Sequence, residues 1–410
     1  MSDVEIRSAP HRRLKLGVAG LGRAFTVMLR SLAADTRIEL VAAADPRPEA
    51  TRRFASDFGA RTYASVDELC ADTRVEVVYL ATPHQHHAEH IAVAAAQGKH
   101  VLVEKPMAIS LAECDRIIAA VERAGVVLVV GHSHGFDRPI LRTRELIDEN
   151  TVGAARMINA QYYTDFLYRP RRPEELVTAE GGGVVFSQGA HQVDVVRLLG
   201  GGRVARVRAL TGAWDTSRPT EGAYAALLTF ADGAFASILY SGYAHFDGDE
   251  LSGGIGELGR PKAADWYGSA RRNLRRATNA LEETALKQAR NYGGPDYREP
   301  TVPSADGAWY EHFGFVLVSC DRADLRPLPA GVMIYGDDVA RFEPLARPGV
   351  PRAEVFDELY GAIVLGRPPL HDARWAKATL EVCLAILDSA REGREIALAH
   401  QVGVPLHRGA

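Results

Sequence analysis

The sequence is poor in cysteine and has no long apolar run. Its 410 residues include only four cysteines, Cys70, Cys114, Cys320 and Cys383, which are widely spaced and form no CxxC pair. This excludes a disulfide framework and a zinc module, and we expect a protein of the reducing cytoplasm. No apolar run approaches the ~20 residues of a membrane span, and the N-terminal segment lacks the apolar core of a signal peptide.

An excess of charge of either sign is also missing. Lys and Arg total 48 and Asp and Glu total 52, which gives a net charge of −4. We therefore expect no nucleic-acid partner and no membrane partner. A hydrophobic fraction of 47% and a charged fraction of 24% are ordinary for a globular protein, and the length suggests two or three domains at ~150 residues each.

The first third of the chain alternates between apolar strands and amphipathic helices. Near-continuous apolar strands separated by helices predict a parallel sheet that is covered on both faces. The pattern predicts an α/β domain of the Rossmann type over residues 1–134. The predicted strands lie at 14–20, 38–45, near 62, and at 75–82, 100–105 and 126–132, and the helices at 24–34, 47–58, 66–71, 87–97 and 111–124.

From residue 135 to 410 the pattern changes to mostly strands, which predicts an α/β domain with a large, mostly antiparallel open sheet. Residues 247–310, with a Gly-rich stretch and one basic helix near 271–290, are interpreted as an insertion or arm. The remaining predicted elements are helices at 139–149 and 373–392 and strands at 155–164, 203–211, 223–230, 234–244, 312–320 and 332–336.

A glycine-rich turn, Gly17-Val18-Ala19-Gly20-Leu21-Gly22, connects the first strand to the first helix. Gly20 and Gly22 allow the backbone to approach a pyrophosphate, and the helix that begins at Arg23 and Ala24 supplies unpaired N–H groups. The third glycine of the GxGxxG pattern is replaced by Phe25, which must be accommodated where helix meets strand.

An acidic residue ends the next strand. Asp45 lies where a carboxylate would accept hydrogen bonds from the adenine ribose and repel a 2′-phosphate, which favours NAD over NADP. Arg47 is the residue that could receive such a phosphate. The alternative is a structural turn followed by a helix-capping aspartate.

Two further loops follow strands of the predicted parallel sheet, at the edge where such sheets bind ligands. The first runs from Thr82 through Pro83 and His84 to His87, and the second is Glu104-Lys105-Pro106. The cofactor-binding candidates in these two loops are Thr82, Pro83, His84, His87, Glu104 and Lys105. The histidines at 84, 86, 87 and 90 lack a matching carboxylate or cysteine set, so we predict no metal site.

A third motif, Gly181-Gly182-Gly183 through His191 to Asp194, lies far downstream. His191 shares a helix face with Asp194 at i,i+3, and with Ser187 if the helix begins early. A histidine beside a carboxylate can be an oriented acid–base group. Taken alone, His191 could equally be a histidine that packs between domains.

These motifs, in this order and spacing, resemble the glucose–fructose oxidoreductase/inositol dehydrogenase/MocA (Gfo/Idh/MocA) family. The resemblance rests on the glycine-rich turn, TPxxxH, GKHVLVEKP and GGGxxxxxGxHxxD, and extends to PxLRTRELIDxxxxG and LEVxLAILDSAREGR. It implies a Rossmann domain followed by an open-sheet domain, with Lys105 and His191 as the catalytic pair and a cis Lys105–Pro106 peptide. The family often has Asp where Ser187 stands and Asn where His84 stands.

Other segments are similar to the phthalate 4,5-cis-dihydrodiol dehydrogenases (4,5-dihydroxyphthalate dehydrogenases) of that family. They are QYYTDFLYRPRRPEEL, GGGVVFSQGAHQVDVVRLL, RPTEGAYAALLTF and ILYSGYAHFDGDE. A substrate with two carboxylates needs guanidinium partners, and the loop Tyr168–Pro173 supplies three. The substrate-binding candidates are Arg169, Arg171, Arg172, Tyr163, Ser187 and Asp194, with Tyr162 and Phe166 as further ring contacts.

Two alternatives remain at this point. A sugar or inositol dehydrogenase would use the same lysine and histidine on an uncharged polyol, and a cofactor-binding regulator would keep the fold without catalysis. Retention of both Lys105 and His191 favours an enzyme. Either base could take the substrate proton, and we expect a homodimer or homotetramer formed through the C-terminal sheet.

Overall fold

The computed structural model describes residues 12–131, 133–298 and 308–405, which divide into two compact units. Within the described residues, the first unit comprises 12–131, 285–298 and 349–376, and the second comprises 133–284, 308–348 and 377–405. The predicted insertion is therefore shared, because residues 247–284 and 308–310 belong to the second unit and residues 285–298 to the first.

The first unit contains a six-stranded parallel sheet in the order β3-β2-β1-β4-β5-β6. Continuous apolar stretches form its strands, and the four residues of the fourth strand are all buried, as expected for a sheet covered on both faces. The strands are β1 Leu14–Ala19, β2 Ile38–Ala44, β3 Arg61–Tyr63, β4 Val77–Leu80, β5 His100–Val103 and β6 Leu128–Val130.

Local signals set the ends of the helices in this unit. The Ser65 and Ser110 hydroxyls each accept a hydrogen bond from the backbone N–H three residues on, and Gly59 and Gly125 adopt the left-handed conformation at helix C-termini. The helices are α1 Arg23–Ala34, α2 Pro48–Phe58, α3 Val66–Ala71, α4 His87–Ala96, α5 Leu111–Ala124 and, later in the chain, Ala353–Val364.

The second unit contains a nine-stranded sheet in the order β14-β13-β12-β11-β7-β10-β9-β8-β15. All neighbours are antiparallel except β7 and β10, which run parallel. The strands are β7 Ala155–Tyr163, β8 Val204–Gly212, β9 Ala223–Phe230, β10 Phe235–Ser241, β11 Phe315–Cys320, β12 Asp324–Leu328, β13 Gly331–Tyr335, β14 Ala340–Pro344 and β15 Ile396–Ala397.

Strand register assigns side chains to the two faces of this sheet. Tyr162, Tyr240 and Tyr224 are cross-strand neighbours on β7, β10 and β9, and all three are buried. On this face lies the helix Ala190–Leu199, whose Gln192 accepts a hydrogen bond from Tyr224 at 2.8 Å. Tyr163, the next residue, therefore points to the opposite face.

The insertion differs from the prediction. In place of one helix near 271–290 there are two short ones, Ser269–Leu274 and Ala280–Gln288. The second begins where the Asn279 side chain accepts a hydrogen bond from the Glu282 backbone N–H at 3.0 Å, because asparagine favours a helix start over a helix interior. Helices also form at Arg138–Asp148 and Ala373–Glu392, close to the predicted bounds.

No helix in the described ranges is long and apolar enough to span a membrane. The four cysteines form no disulfide.

Candidate active site

The glycine-rich turn of the first unit has the geometry of a pyrophosphate cradle. Gly20 has φ +91°, and a Cβ there would lie 2.7 Å from the Ala81 carbonyl oxygen. Gly22 precedes α1, which begins at Arg23 and Ala24; it has open space where a Cβ would stand and no side chain to cap the helix. This open space at a helix N-terminus fits a dinucleotide phosphate.

Asp45 and Arg47 form a closed pair at the end of β2. The buried Asp45 carboxylate accepts from the Leu21 backbone N–H at 2.7 Å and from Arg47 Nε at 3.0 Å. Arg47 Nη2 also donates to the Leu21 carbonyl at 2.9 Å, and Arg47 Nη1 to the Tyr292 carbonyl at 3.3 Å. Because the guanidinium is already engaged, it is poorly placed to receive a 2′-phosphate, which supports the preference for NAD.

The bulky Phe25 is accommodated by the insertion. Its ring is fully buried and meets Tyr292 edge-on at 5.2 Å and Phe54 at 5.9 Å. The Tyr292 hydroxyl donates to Asp57 at 2.5 Å. The segment around Tyr292 thus completes the core of the nucleotide-binding unit.

The loops after β4 and β5 are joined by His87. Its two ring nitrogens lie 3.0 Å from the Pro106 carbonyl oxygen and 2.9 Å from the Thr82 carbonyl oxygen. Burial lowers the pKa of His87 to about 4, so the ring is neutral and only one nitrogen donates. His87 therefore holds the Thr82-Pro83-His84 turn against the loop that carries Lys105.

The loop Glu104-Lys105-Pro106 is also held by strand β4. The Lys105–Pro106 peptide bond is cis, as the resemblance implied. The Tyr79 hydroxyl donates to Glu104 Oε1 at 2.5 Å, which ties the residue before Lys105 to strand β4.

In the second unit, Glu221 shapes the glycine-rich approach to His191. A Cβ on Gly183, which has φ +82°, would collide with the Glu221 carboxylate. Glu221 accepts from the Val185 backbone N–H at 3.2 Å and from the Thr178 hydroxyl. Residues Val185–Gly189 then form a π-helical turn, a form that is frequent at functional sites, and Ser187 within it donates to the Gly183 carbonyl.

His191 lies in a cluster of rings. Its centroid is 4.8 Å from that of His134 and 5.1 Å from that of Phe313. Tyr162 and Tyr240 extend the cluster, at 5.1 Å and 6.0 Å from Phe313. The imidazole of His191 thus lies against a cluster of aromatic side chains.

Asp194 is part of a buried network. It accepts hydrogen bonds from the Ser133 hydroxyl and, at 3.4 Å, from the Thr379 hydroxyl, and Arg197 donates to the same Thr379 at 2.8 Å. We infer that Asp194 anchors the helix that carries His191, and we leave it out of the proposed substrate contacts.

The three loop arginines differ in their surroundings. Arg171 stacks 3.6 Å above the Phe166 ring and donates to the Phe166 carbonyl at 2.7 Å, and Arg172 pairs with Glu174 at 2.9 Å. Arg169 forms long ion pairs, 3.6 Å to Asp165 and 3.9 Å to Glu257, lies 5.6 Å from the centre of the Phe166 ring, and has a side chain that is 40% exposed. Arg169 is therefore the guanidinium best placed to take a new anionic partner.

Tyr163 faces a different part of the second unit from His191. It lines an open groove of about 610 Å³ on the opposite face of the sheet, with Tyr168, Trp214, Tyr243 and Phe246. Register explains the separation, because Tyr163 pairs with Ser241 whereas Tyr162 pairs with Tyr240 on the side of Phe313. Of the two tyrosines, Tyr162 is the one that belongs to the ring cluster of His191, through its contact with Phe313.

Sequence analysis missed His134, although a signal was present. His134 and Asp137 repeat the H-x-x-D spacing of His191 and Asp194, directly after a strand of the parallel sheet. His134 Nδ1 lies 2.6 Å from Asp137. Together with Glu311 they are the one group of described residues with candidate metal-ligand atoms within 4.8 Å of one another; since Asp137 already engages the imidazole, we assign no metal ion to them.

Comparison with known proteins matches successive segments of the chain to the two domains of one enzyme family. Residues 14–132 match the model of the oxidoreductase family with an NAD-binding Rossmann fold, and residues 140–252 match the GFO/IDH/MocA C-terminal domain. A 1-carboxy-3-chloro-3,4-dihydroxycyclohexa-1,5-diene dehydrogenase of Comamonas testosteroni is 45% identical over 379 residues, 92% of this chain and 95% of that protein. A trans-1,2-dihydrobenzene-1,2-diol dehydrogenase of Danio rerio is 30% identical over 45% of this chain and 56% of its own length.

Solved structures share the fold. A dehydrogenase of Bordetella bronchiseptica RB50 superposes with a TM-score of 0.88 and 42% identity, covering 94% of this chain and 100% of that one. The WlbA dehydrogenase of Bordetella pertussis, solved with NADH and UDP-GlcNAcA, has a TM-score of 0.66 at 21% identity over 95% of this chain and 99% of its own. With the cradle at Gly20 and Gly22 and these relatives, the chain belongs to the Gfo/Idh/MocA family of NAD-binding oxidoreductases.

Proposed function

We propose that this oxidoreductase converts the cis-4,5-dihydrodiol of phthalate to 4,5-dihydroxyphthalate in the degradation of aromatic compounds. The dehydrogenase of Comamonas testosteroni supports the class of substrate, because its name specifies a dihydroxycyclohexadiene that carries a carboxylate. Arg169, the most available guanidinium of the loop Tyr168–Pro173, supports a substrate that carries a carboxylate, and the similarity of this loop to the phthalate dihydrodiol dehydrogenases supports a second carboxylate.

The reaction removes a hydride from one carbinol carbon and a proton from its oxygen. The resulting hydroxyketone tautomerises to an aromatic diol, so diol and NAD⁺ give aromatic diol, NADH and one proton. Bound NAD supplies the hydride acceptor. Gly20, Gly22 and the start of α1 would hold its phosphates, Asp45 its ribose, and the loops at Thr82 and Glu104 the nicotinamide end.

Lys105 and His191 are the proposed proton-handling groups. Lys105 belongs to the first unit and His191 to the second. His191 as base would accept the hydroxyl proton, while Lys105 as a cation would stabilise the developing alkoxide; the opposite assignment is chemically balanced as well.

One arrangement carries the proposal for a carboxylated substrate. Glu257 lies 3.9 Å from Arg169 and 3.7 Å from His134, and His134 in turn contacts His191. Glu257 thus lies between Arg169, the most available guanidinium of the loop, and the histidine pair His134 and His191. A substrate carboxylate that binds Arg169 would replace the long contact with Glu257 by a charge-assisted pair while its ring lies near Tyr162 and Phe313.

A substrate panel tests this proposal through the absorbance of NADH. We expect the phthalate diol to be oxidised with the highest kcat/KM, a monocarboxylated diol less well, and an uncharged cis-diol or inositol at least ~100-fold less. Arg169→Lys should reduce kcat/KM for the phthalate diol at least ~10-fold, because the guanidinium fork is lost, and should leave an uncharged diol nearly unaffected.

Arg172→Lys is the matched control, since Arg172 already pairs with Glu174. Arg172→Lys should change kcat/KM by no more than ~2-fold, both for the phthalate diol and for the uncharged diol. A preference for inositol, or equal losses on charged and uncharged diols in the Arg169 variant, would replace the phthalate assignment by the polyol one.

We also propose that the protein self-associates through the outer face of the nine-stranded sheet. Large apolar side chains on this face are exposed: Leu210 66%, Leu227 48%, Phe235 42%, Phe342 42% and Tyr335 37%. The register places Leu210, Leu227 and Phe235 on this face of the neighbouring strands β8, β9 and β10, and Tyr335 and Phe342 on the same face of β13 and β14. Exposed apolar side chains grouped on one face are typical of an interface, and a second copy is the occupant that we expect.

A further inference from the structure

His134 is held as a charged group inside the second unit. The imidazole is 2% exposed, and its Nδ1 lies 2.6 Å from the Asp137 carboxylate, which is 4% exposed. Its other nitrogen, Nε2, lies 3.7 Å from Glu257 Oε1. A buried imidazole between two carboxylates is favoured in its protonated form.

The ring of His134 also faces His191. The two centroids are 4.8 Å apart with planes at 61°, and Phe313 closes the third side at 5.1 Å from each. Among the residues that the structure describes, Asp137, Glu257, Glu311 and His191 are titratable groups around His134, and the Arg169 guanidinium lies 3.9 Å from Glu257. Three of these groups are carboxylates.

The balance of these groups sets the charge of His134. Burial by itself would lower the pKa of His134, but Asp137 and Glu257 outweigh burial and raise it to about 9. His134 is therefore an imidazolium at neutral pH. Its positive charge compensates part of the negative charge of Asp137, Glu257 and Glu311, next to His191.

We propose that His134 is a positioning residue whose imidazolium keeps His191 unprotonated and available to accept the substrate hydroxyl proton. This inference rests on the proposed function, in which His191 exchanges a proton with the diol. His134 itself touches neither the diol nor NAD in this proposal.

The positive charge of His134 acts on His191 through its electrostatic potential. Without the cation, the carboxylates of Asp137, Glu257 and Glu311 would draw a proton onto His191 and block it as a base. A positive charge about 5 Å away disfavours that second proton by the equivalent of one pH unit or more at the effective dielectric of a protein interior. The oxidation can then proceed at a lower pH than it would without the charge on His134.

The pH profile of kcat/KM for diol oxidation tests the proposal. His134→Gln keeps a polar side chain of similar size but removes the charge, and we expect the acidic limb to move up by about one pH unit. The loss should be about 10-fold at pH 6 and should vanish at high pH, where His191 is unprotonated in both proteins. His191→Ala provides the reference for complete loss of the base, at least ~100-fold across the range.

Phe313→Leu is the control for packing, because Phe313 contacts both imidazoles without carrying charge. It should reduce kcat/KM equally at all pH values and leave the limb in place. A parallel shift in Phe313→Leu and His134→Gln, or no shift in His134→Gln, would overturn the proposal.

Nuclear magnetic resonance of protein labelled with ¹⁵N-histidine supplies a readout that needs no substrate. We expect His134 to stay protonated on both ring nitrogens up to pH 8. In Asp137→Asn, His134 should lose one of these two protons near neutral pH. In His134→Gln, the titration midpoint of His191 should rise. A neutral His134 at pH 7 would overturn the inference. An inactive substrate panel alongside the expected titrations would overturn the substrate assignment alone.

Discussion

At the scale of single residues, we expect the Asp45–Arg47 pair to determine which dinucleotide is accepted. Asp45→Ala removes the carboxylate that repels a 2′-phosphate and releases Arg47 from its 3.0 Å contact. We expect the ratio of kcat/KM for NAD to that for NADP to fall at least ~10-fold, as both changes favour the phosphorylated cofactor. Steady-state kinetics with each dinucleotide measures this ratio.

Glu49→Ala is the matched control for that substitution. Glu49 is an exposed acid in the first turn of the helix that follows Arg47, so its loss changes net charge equally without touching the pair. The ratio should stay within ~2-fold of the wild type. An Asp45 variant that behaves like the Glu49 variant would mean that the cofactor preference is set elsewhere.

At the scale of elements, the approach to His191 depends on a glycine that leaves no room for a side chain. Gly183 and Gly201 have nearly the same positive φ, +82° and +84°, but a Cβ meets the Glu221 carboxylate at Gly183 and nothing within 4 Å at Gly201. Gly201→Ala should cost about 1–2 kcal/mol in free energy of unfolding from its backbone conformation alone. Gly183→Ala should cost about 2 kcal/mol more, because the glutamate must move.

Urea denaturation of the two variants, followed by circular dichroism, compares these costs. The extra loss at Gly183 should come with a lower kcat, since the π-helical turn before His191 is displaced. Equal losses in the two variants would show that Glu221 moves aside freely.

The elements that sequence analysis predicted well are those with strong periodicity and clear end signals. Leu111–Ala124 lies between a capping serine and a left-handed glycine, and its bounds agree with the prediction. The strand Asp324–Leu328 was missed because it contains Pro327 and begins with a charged residue, and pairing with its neighbours overrides these local signals. The proximity of His134 to His191 depends on tertiary packing, which spacing along the chain does not encode.

At the scale of the whole molecule, the exposed leucines allow a direct test of self-association. Leu227→Glu places a charge on the outer sheet face, on β9 between β8 and β10, where Leu227 is 48% exposed. We expect light scattering after size-exclusion chromatography to show a multiple of the 44.5 kDa chain for the wild type and a smaller species for the variant, because burying an unpaired carboxylate is costly.

Leu281→Glu provides the comparison, since Leu281 is 84% exposed on the helix Ala280–Gln288, away from the sheet. Its mass should equal that of the wild type. A wild type that is already monomeric, or a mass that changes only in the Leu281 variant, would contradict the role of the sheet face.

The nucleotide-binding unit is built from pieces that are distant in the chain, and this affects its synthesis. Tyr292 packs against Phe25, Asp357 forms a 2.8 Å ion pair with the buried Arg37, and the His371 carbonyl accepts from the Val130 backbone N–H at 2.8 Å on the last strand. A ribosome that has delivered the six parallel strands has therefore not yet delivered the residues that complete their core. The first unit can reach its native packing only after residue 371 has emerged, so a nascent chain that is released earlier would expose Phe25 and leave Arg37 without Asp357.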